Sequence, residues 1–220
     1  MSEARTSGQG RLLTGTAWAV LLLALWLWGR ESTEGHGSAT PTTGDVAAAG
    51  RPEPRPLPPA HAPLPAAHPQ GLAIKAVGVR APVEDRGLNR AGAVDPPPYG
   101  RAGSVGWYRG GPQPGSPGAA VLVGHVDTAN APAVFYDLGS LKPGMTVTVT
   151  RSDGSTAEFT VEDVSVFTKD RFDARKVYGP HRKDRAELRL ITCGGDYDRA
   201  QRTYSANVVV SAYLTGTGRA

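Results

Sequence analysis

One cysteine and one histidine carry the chemistry that this sequence offers. Cys193 is the only cysteine among 220 residues. It lies in Leu190-Ile191-Thr192-Cys193-Gly194-Gly195, after an apolar run and before a glycine pair. His125 lies in Gly124-His125-Val126-Asp127-Thr128, directly after the apolar run Ala119-Ala120-Val121-Leu122-Val123 and one glycine. A thiolate is a strong nucleophile, and an imidazolium beside it protonates a leaving amine, so such a pair supports acyl transfer through a thioester. The rival reading is a buried, inert thiol, since free cysteines are small hydrophobes first. Charge that develops on an attacked carbonyl needs a third group, an arginine or backbone N–H groups. Arg189, Arg199 and Arg202 are the nearby arginines. Arg189 and Cys193 share a strand face but stand about 13 Å apart at ~3.3 Å per residue, too far to serve one carbonyl. Arg202 is nearer than Arg199 to the start of the strand that begins near Asn207.

The elements that must position these groups read as strands. An apolar run reads as a buried strand and the following glycines as a turn, which puts both His125 and Cys193 at strand ends. If the two strands pair in parallel, both ends reach one rim of a barrel. Further strands are expected over residues 72–79, 145–150, 159–161, 164–167 and 207–213. Ser152-Asp153-Gly154-Ser155 is the turn of a hairpin. Helical periodicity is weak, and residues 131–138 are the one short candidate. Short strands separated by Pro and Gly indicate an all-β sandwich or barrel.

Three regions precede or carry this domain. Residues 1–11 form a short N-terminus, with Arg5 and Arg11 favouring a cytoplasmic side. Residues 12–29 carry no charge and span roughly 27 Å as a helix, close to a bilayer's hydrocarbon thickness. Trp26 and Trp28 sit near its end, as in an interfacial belt. An uncleaved transmembrane anchor is the favoured reading over a cleaved signal peptide. Residues 30–70, rich in Pro, Ala and Gly, show no period and read as a spacer. His36, His61 and His68 fall there, without a folded frame to make them metal ligands. Residues 71–220 form one domain, held outside the cytoplasm. The net charge of +4 comes with no arginine-rich helix or aromatic-interleaved basic patch, so no nucleic-acid partner is expected.

GHVDT after an apolar strand, then LRLITCGG, then YSANVVV, resembles the sortases, and most of all their class F (actinobacterial class E/F-like) group. VGVRAPVED, VGWYRGG, GPQPGSPGAAVLVGHVDT, PAVFYDLGSLKPGMTVTV and KVYG are similar to that group as well. The resemblance runs roughly from Ala73 to Leu214. It implies an eight-stranded sortase-type β-barrel with one or two short helices behind a single transmembrane helix. It implies a membrane-anchored cysteine transpeptidase of a Gram-positive cell wall, with Cys193 as nucleophile and His125 as acid. The substrate would be a protein with an LPxTG-like C-terminal sorting signal, and the acceptor an amine such as a cell-wall peptide. No metal or organic cofactor is implied, and the enzyme is expected to be a monomer. The family's arginine lies about a dozen residues after the cysteine, where this chain has Ala206 and Asn207. Arg202 takes that role in this reading, with Arg199 second. The alternatives are a secreted cysteine peptidase that releases its acyl group to water, and an anchored, non-enzymatic β-sandwich binding module.

Overall fold

The computed structural model describes residues 56–169, 173, 177–198 and 203–220. The expected transmembrane segment, residues 12–29, lies outside them, as do Arg199 and Arg202. Among the described residues no helix is long and apolar enough to cross a membrane.

Eight strands close into a barrel: β1 (Pro69–Ile74), β2 (Val79–Arg86), β3 (Val105–Tyr108), β4 (Gly118–Val123), β5 (Thr146–Arg151), β6 (Ser155–Thr168), β7 (Ala186–Asp198) and β8 (Thr203–Arg219). Their order around the barrel is β1-β2-β3-β4-β7-β8-β6-β5, with β5 paired back to β1. All neighbours are antiparallel except β2/β3 and β4/β7. Closure gives every strand a neighbour on both sides. Side chains alternate between the barrel interior and its outer face. Leu122, Leu188, Leu190, Val210 and Phe159 belong to the main core. Val121, Val123, Ile191 and Val209 belong to a second cluster that also includes Val94 and Val177. Since Ile191 and Cys193 are two residues apart on β7, the thiol projects on the same face as this second cluster.

Several expectations change. Residues 72–79 are not one strand: a 3-10 turn at Lys75–Val77 separates β1 from β2, and Gly78 closes it at φ 68°. β3 was not expected; it is four residues long, three of them glycine or aromatic, and too short to show a period. The strands expected at 159–161 and 164–167 are one strand, β6, with irregularities after Glu158 and Val161. Residues 131–138 are not a helix but a series of turns that runs into a 3-10 turn at Leu138–Ser140. Among the described residues the other 3-10 turn, Tyr99–Arg101, is equally short.

The spacer expectation also fails at its C-terminal end, because residues 56–68 pack on the barrel. The Leu64 N–H donates to the Gly115 carbonyl and the His61 N–H to that of Leu214. The Tyr213 hydroxyl donates to the Pro58 carbonyl. Arg151, 1% exposed, points a guanidinium nitrogen at the Pro65 carbonyl. A proline-rich chain has no periodicity to announce this, since it binds through carbonyls and fixed φ angles rather than through a patterned face. A chain beginning at Gly71 therefore loses these bonds and strands part of a buried guanidinium. Compared with a chain beginning at Pro56, it should be at least about 3 kcal/mol less stable, or roughly 6–12 °C lower in Tm. Equal melting temperatures for the two would refute this role.

A buried ion network fixes the start of β7. Glu187 is fully buried and accepts from the His181 and Arg182 N–H groups, from Arg185 and from Arg189. Burial pushes its carboxyl up, but the backbone donor of His181 and the Arg189 guanidinium outweigh this and hold it below the usual carboxylate range. Arg189 also donates to the Gly179 carbonyl. Arg189 is thus a structural cation that ties residues 179–182 to β7.

Candidate active site

β4 and β7 run parallel, with Val123 opposite Ile191. The Gly124 N–H extends this ladder to the Ile191 carbonyl at 3.1 Å. Two residues on, His125 and Cys193 leave the paired region together, as the parallel arrangement requires. Gly124 is needed here: a Cβ would come within 2.7 Å of both Phe135 and Val134, which pack beneath the turn.

Cys193 does not end its strand. β7 continues to Asp198 paired with β8 alone, with Cys193 opposite Asn207 and a bulge between Gly194 and Tyr197. The glycine pair is a bulge rather than an exit turn. Gly195 sits at φ 77°, and a Cβ there would meet the Ser205 hydroxyl at 2.5 Å and Ala206 at 2.9 Å. The bulge lets the β7/β8 hairpin bend after the cysteine. β8 correspondingly starts at Thr203, earlier than the expected start near Asn207.

The thiol opens on two adjoining clefts. One, of about 570 Å³, is lined by Cys193, His125, Lys169 and Asn207 and walled by Val94, Val123 and Ile191. The other, of about 750 Å³, is lined by Cys193, Tyr99, Asp127, Thr203 and Tyr204. Both volumes suit a peptide segment or a small ligand. The Tyr204 hydroxyl donates to the Asp127 carboxylate, which fixes the loop after His125 against β8.

His125 is held by the Pro96-Pro97-Pro98-Tyr99 segment. Its Nε2 lies 2.6 Å from the Pro97 carbonyl oxygen. A carbonyl only accepts, so Nε2 carries a proton and Nδ1 is the nitrogen left to exchange one. The ring stacks on Tyr99 with centroids 4.3 Å apart and planes 22° apart. Cys193 is half-buried. Burial pushes its thiol above the ordinary value; Lys169 opposes this and Asp127 adds to it. Burial thus favours the neutral thiol.

The structure thus brings two of the expected residues, Cys193 and His125, to one cleft. The third, Arg202, and its alternative Arg199 lie outside the described residues. Nothing in the local sequence marks Tyr99, Asp127, Lys169 and Asn207 as neighbours of the thiol. The triple proline before Tyr99 marks a stiff segment, and that was the one signal present.

Residues 72–215 match the family described as Sortase domain. No curated protein matches the chain. Among solved structures, sortase C-1 from Actinomyces oris is similar at 22% identity and a TM-score of 0.51, over 66% of this chain and 73% of that one. Sortase A from Listeria monocytogenes is similar at 19% identity and a TM-score of 0.52, over 70% and 91%. A lid mutant of sortase A from Corynebacterium diphtheriae is similar at 20% identity and a TM-score of 0.51, over 74% and 73%. Identities this low speak for a shared fold.

Proposed function

We propose that this chain, which belongs to the sortase family, is a membrane-anchored cysteine transpeptidase of the class F kind that cuts an LPxTG-like sorting signal. The observation that carries the reading is the parallel β4/β7 pair, which delivers His125 and Cys193 into one cleft. The apolar wall of Val94, Val123 and Ile191 fits the aliphatic residues of such a signal.

In the reacting form the proton of the thiol resides on His125. The thiolate adds to the peptide carbonyl carbon, and the C=O π pair moves onto oxygen. When the carbonyl re-forms, the C–N bond breaks and the amine nitrogen takes the proton from His125 Nδ1. Cys193 is left as a thioester and His125 as the neutral ring whose remaining N–H points at Pro97. An incoming amine then adds to the thioester carbonyl, gives a proton to His125 and displaces the thiolate, forming a new amide bond. Because burial favours the neutral thiol, the cost of forming the charged pair adds to the observed barrier. Arg202 completes this reading as a donor to the oxyanion or the substrate backbone. Residues 12–29 would hold the catalytic domain on the outer face of the cell membrane.

A library of fluorogenic sorting peptides, with and without an added amine, tests the proposal. Cleavage with an acyl group trapped on Cys193, and product diverted to an amide by the amine, is the expected result. No cleavage and no adduct across the library would defeat it. Cleavage that amines never divert would favour the peptidase reading.

A further inference from the structure

The strand order brings a cation to the thiol from a strand that carries neither the cysteine nor the histidine. β8 lies between β7 and β6. Asn207 of β8 is opposite Cys193 on one side and Phe167 of β6 on the other, and Ala206 is opposite Thr168. Lys169 follows Thr168 immediately. β6 and β7 are two strand spacings apart, about 10 Å, and a four-carbon side chain covers more than half of that gap. Lys169 lines the cleft that holds Cys193 and His125, and it is the one lysine or arginine to do so among the described residues.

The side chain is held by a neutral partner. Lys169 Nζ donates to the Thr203 hydroxyl, and Thr203 lines the adjoining cleft that Cys193 also lines. No carboxylate pairs with the ammonium among the described residues. The ammonium stands on the wall of the reacting cleft, where a developing anion would gain most from it. Opposite Cys193 itself stands the neutral amide of Asn207, so β8 offers no cation at that register.

We propose that Lys169 supplies a further active-site cation beside Arg202: its ammonium donates to the scissile carbonyl oxygen and helps hold the oxyanion formed when the Cys193 thiolate adds. This rests on the acyl-transfer reading above. The oxyanion exists between addition of sulfur and departure of the amine, and the ammonium keeps all three of its protons throughout. A peptide carbonyl is neutral before attack and anionic after, so a single compact charge favours the second state over the first.

The titratable groups that surround the thiol are His125 and Asp127 after β4, Lys169 after β6, Tyr178 before β7, Tyr99 and Tyr204. Changing Lys169 alters one charge among them. The test uses the full chain in detergent, as wild type, Lys169→Met and Lys169→Arg. Two quantities are measured: kcat/KM on a fluorogenic sorting peptide, and Cys193 alkylation by uncharged iodoacetamide from about pH 6 to 10. Lys169 is exposed, so neither change should unfold the protein. Lys169→Met should lose about 10²-fold or more in kcat/KM, mainly in kcat. Removing a cation favours the neutral thiol, so its alkylation midpoint should move to higher pH. Lys169→Arg keeps the charge and should stay within about tenfold, with the midpoint near that of wild type. A Met variant within about tenfold of wild type, or one with an unmoved midpoint, overturns the proposal. If wild type cleaves no peptide, the acyl-transfer reading itself fails, and the proposal that rests on it falls too. The alkylation midpoint then still reports whether the ammonium acts on the thiol.

Discussion

Cys193→Ala is expected to leave no detectable peptide cleavage, a loss on the order of 10⁵–10⁶-fold, as when other acyl-transfer enzymes lose their nucleophile. The thiol is half-buried on the outer face of β7, where it opens on two clefts and forms no part of either apolar cluster. Truncating it removes one sulfur from a site with open space beside it, so the cost in stability should stay below about 1 kcal/mol. Turnover and thermal melting measured on the same sample separate the two readings of this residue. An inactive variant that melts like wild type supports the nucleophile. A structural cysteine in a binding module predicts the reverse, a lowered Tm and, in wild type, slow thiol labelling indifferent to His125. Retained cleavage by the alanine variant would remove Cys193 from the mechanism altogether.

The strands that position the site were legible because they are the most buried ones. Residues 119–123 are a continuous apolar run, and 188–192 are apolar but for Arg189 and Thr192; strands covered on both faces look like that wherever they occur. Their parallel pairing could be posed from the sequence only as a condition, since nothing local distinguishes it from an antiparallel one. What the sequence hid came from contacts between distant segments. Gly194 and Gly195 resemble a turn, yet they are a bulge because Val208, Ser205 and Ala206 of the neighbouring strand leave no room for a Cβ. Lys169 sits among Thr168, Asp170 and Arg171, a stretch of charge that reads as solvated surface. Only the order β7-β8-β6 carries it to the cysteine. Residues 56–68 looked like spacer because proline-rich chain packs without a period, as the Pro65 carbonyl does on Arg151.

His125→Gln should lower kcat/KM by at least 10²–10⁴-fold, roughly the range for acid–base catalysis, and by more because the histidine also takes the thiol's proton. Glutamine is the informative change. Its amide N–H can still donate to the Pro97 carbonyl, which the three consecutive prolines hold in place. It cannot carry a transferable proton. The pH dependence then separates proton transfer from simple positioning. In wild type the active enzyme has one proton shared between thiol and imidazole. At low pH both groups are protonated, and at high pH neither is, so kcat/KM follows a bell whose limbs belong to the pair. Burial of Cys193 pushes the thiol up, which moves the alkaline limb upward and reduces the charged fraction of the one-proton enzyme. In His125→Gln the thiol titrates alone. The residual rate should rise as thiolate forms and then level off, with no alkaline fall. An unchanged rate in the glutamine variant, or an alkaline limb that persists in it, would show that the proton reaches the leaving amine from some other group.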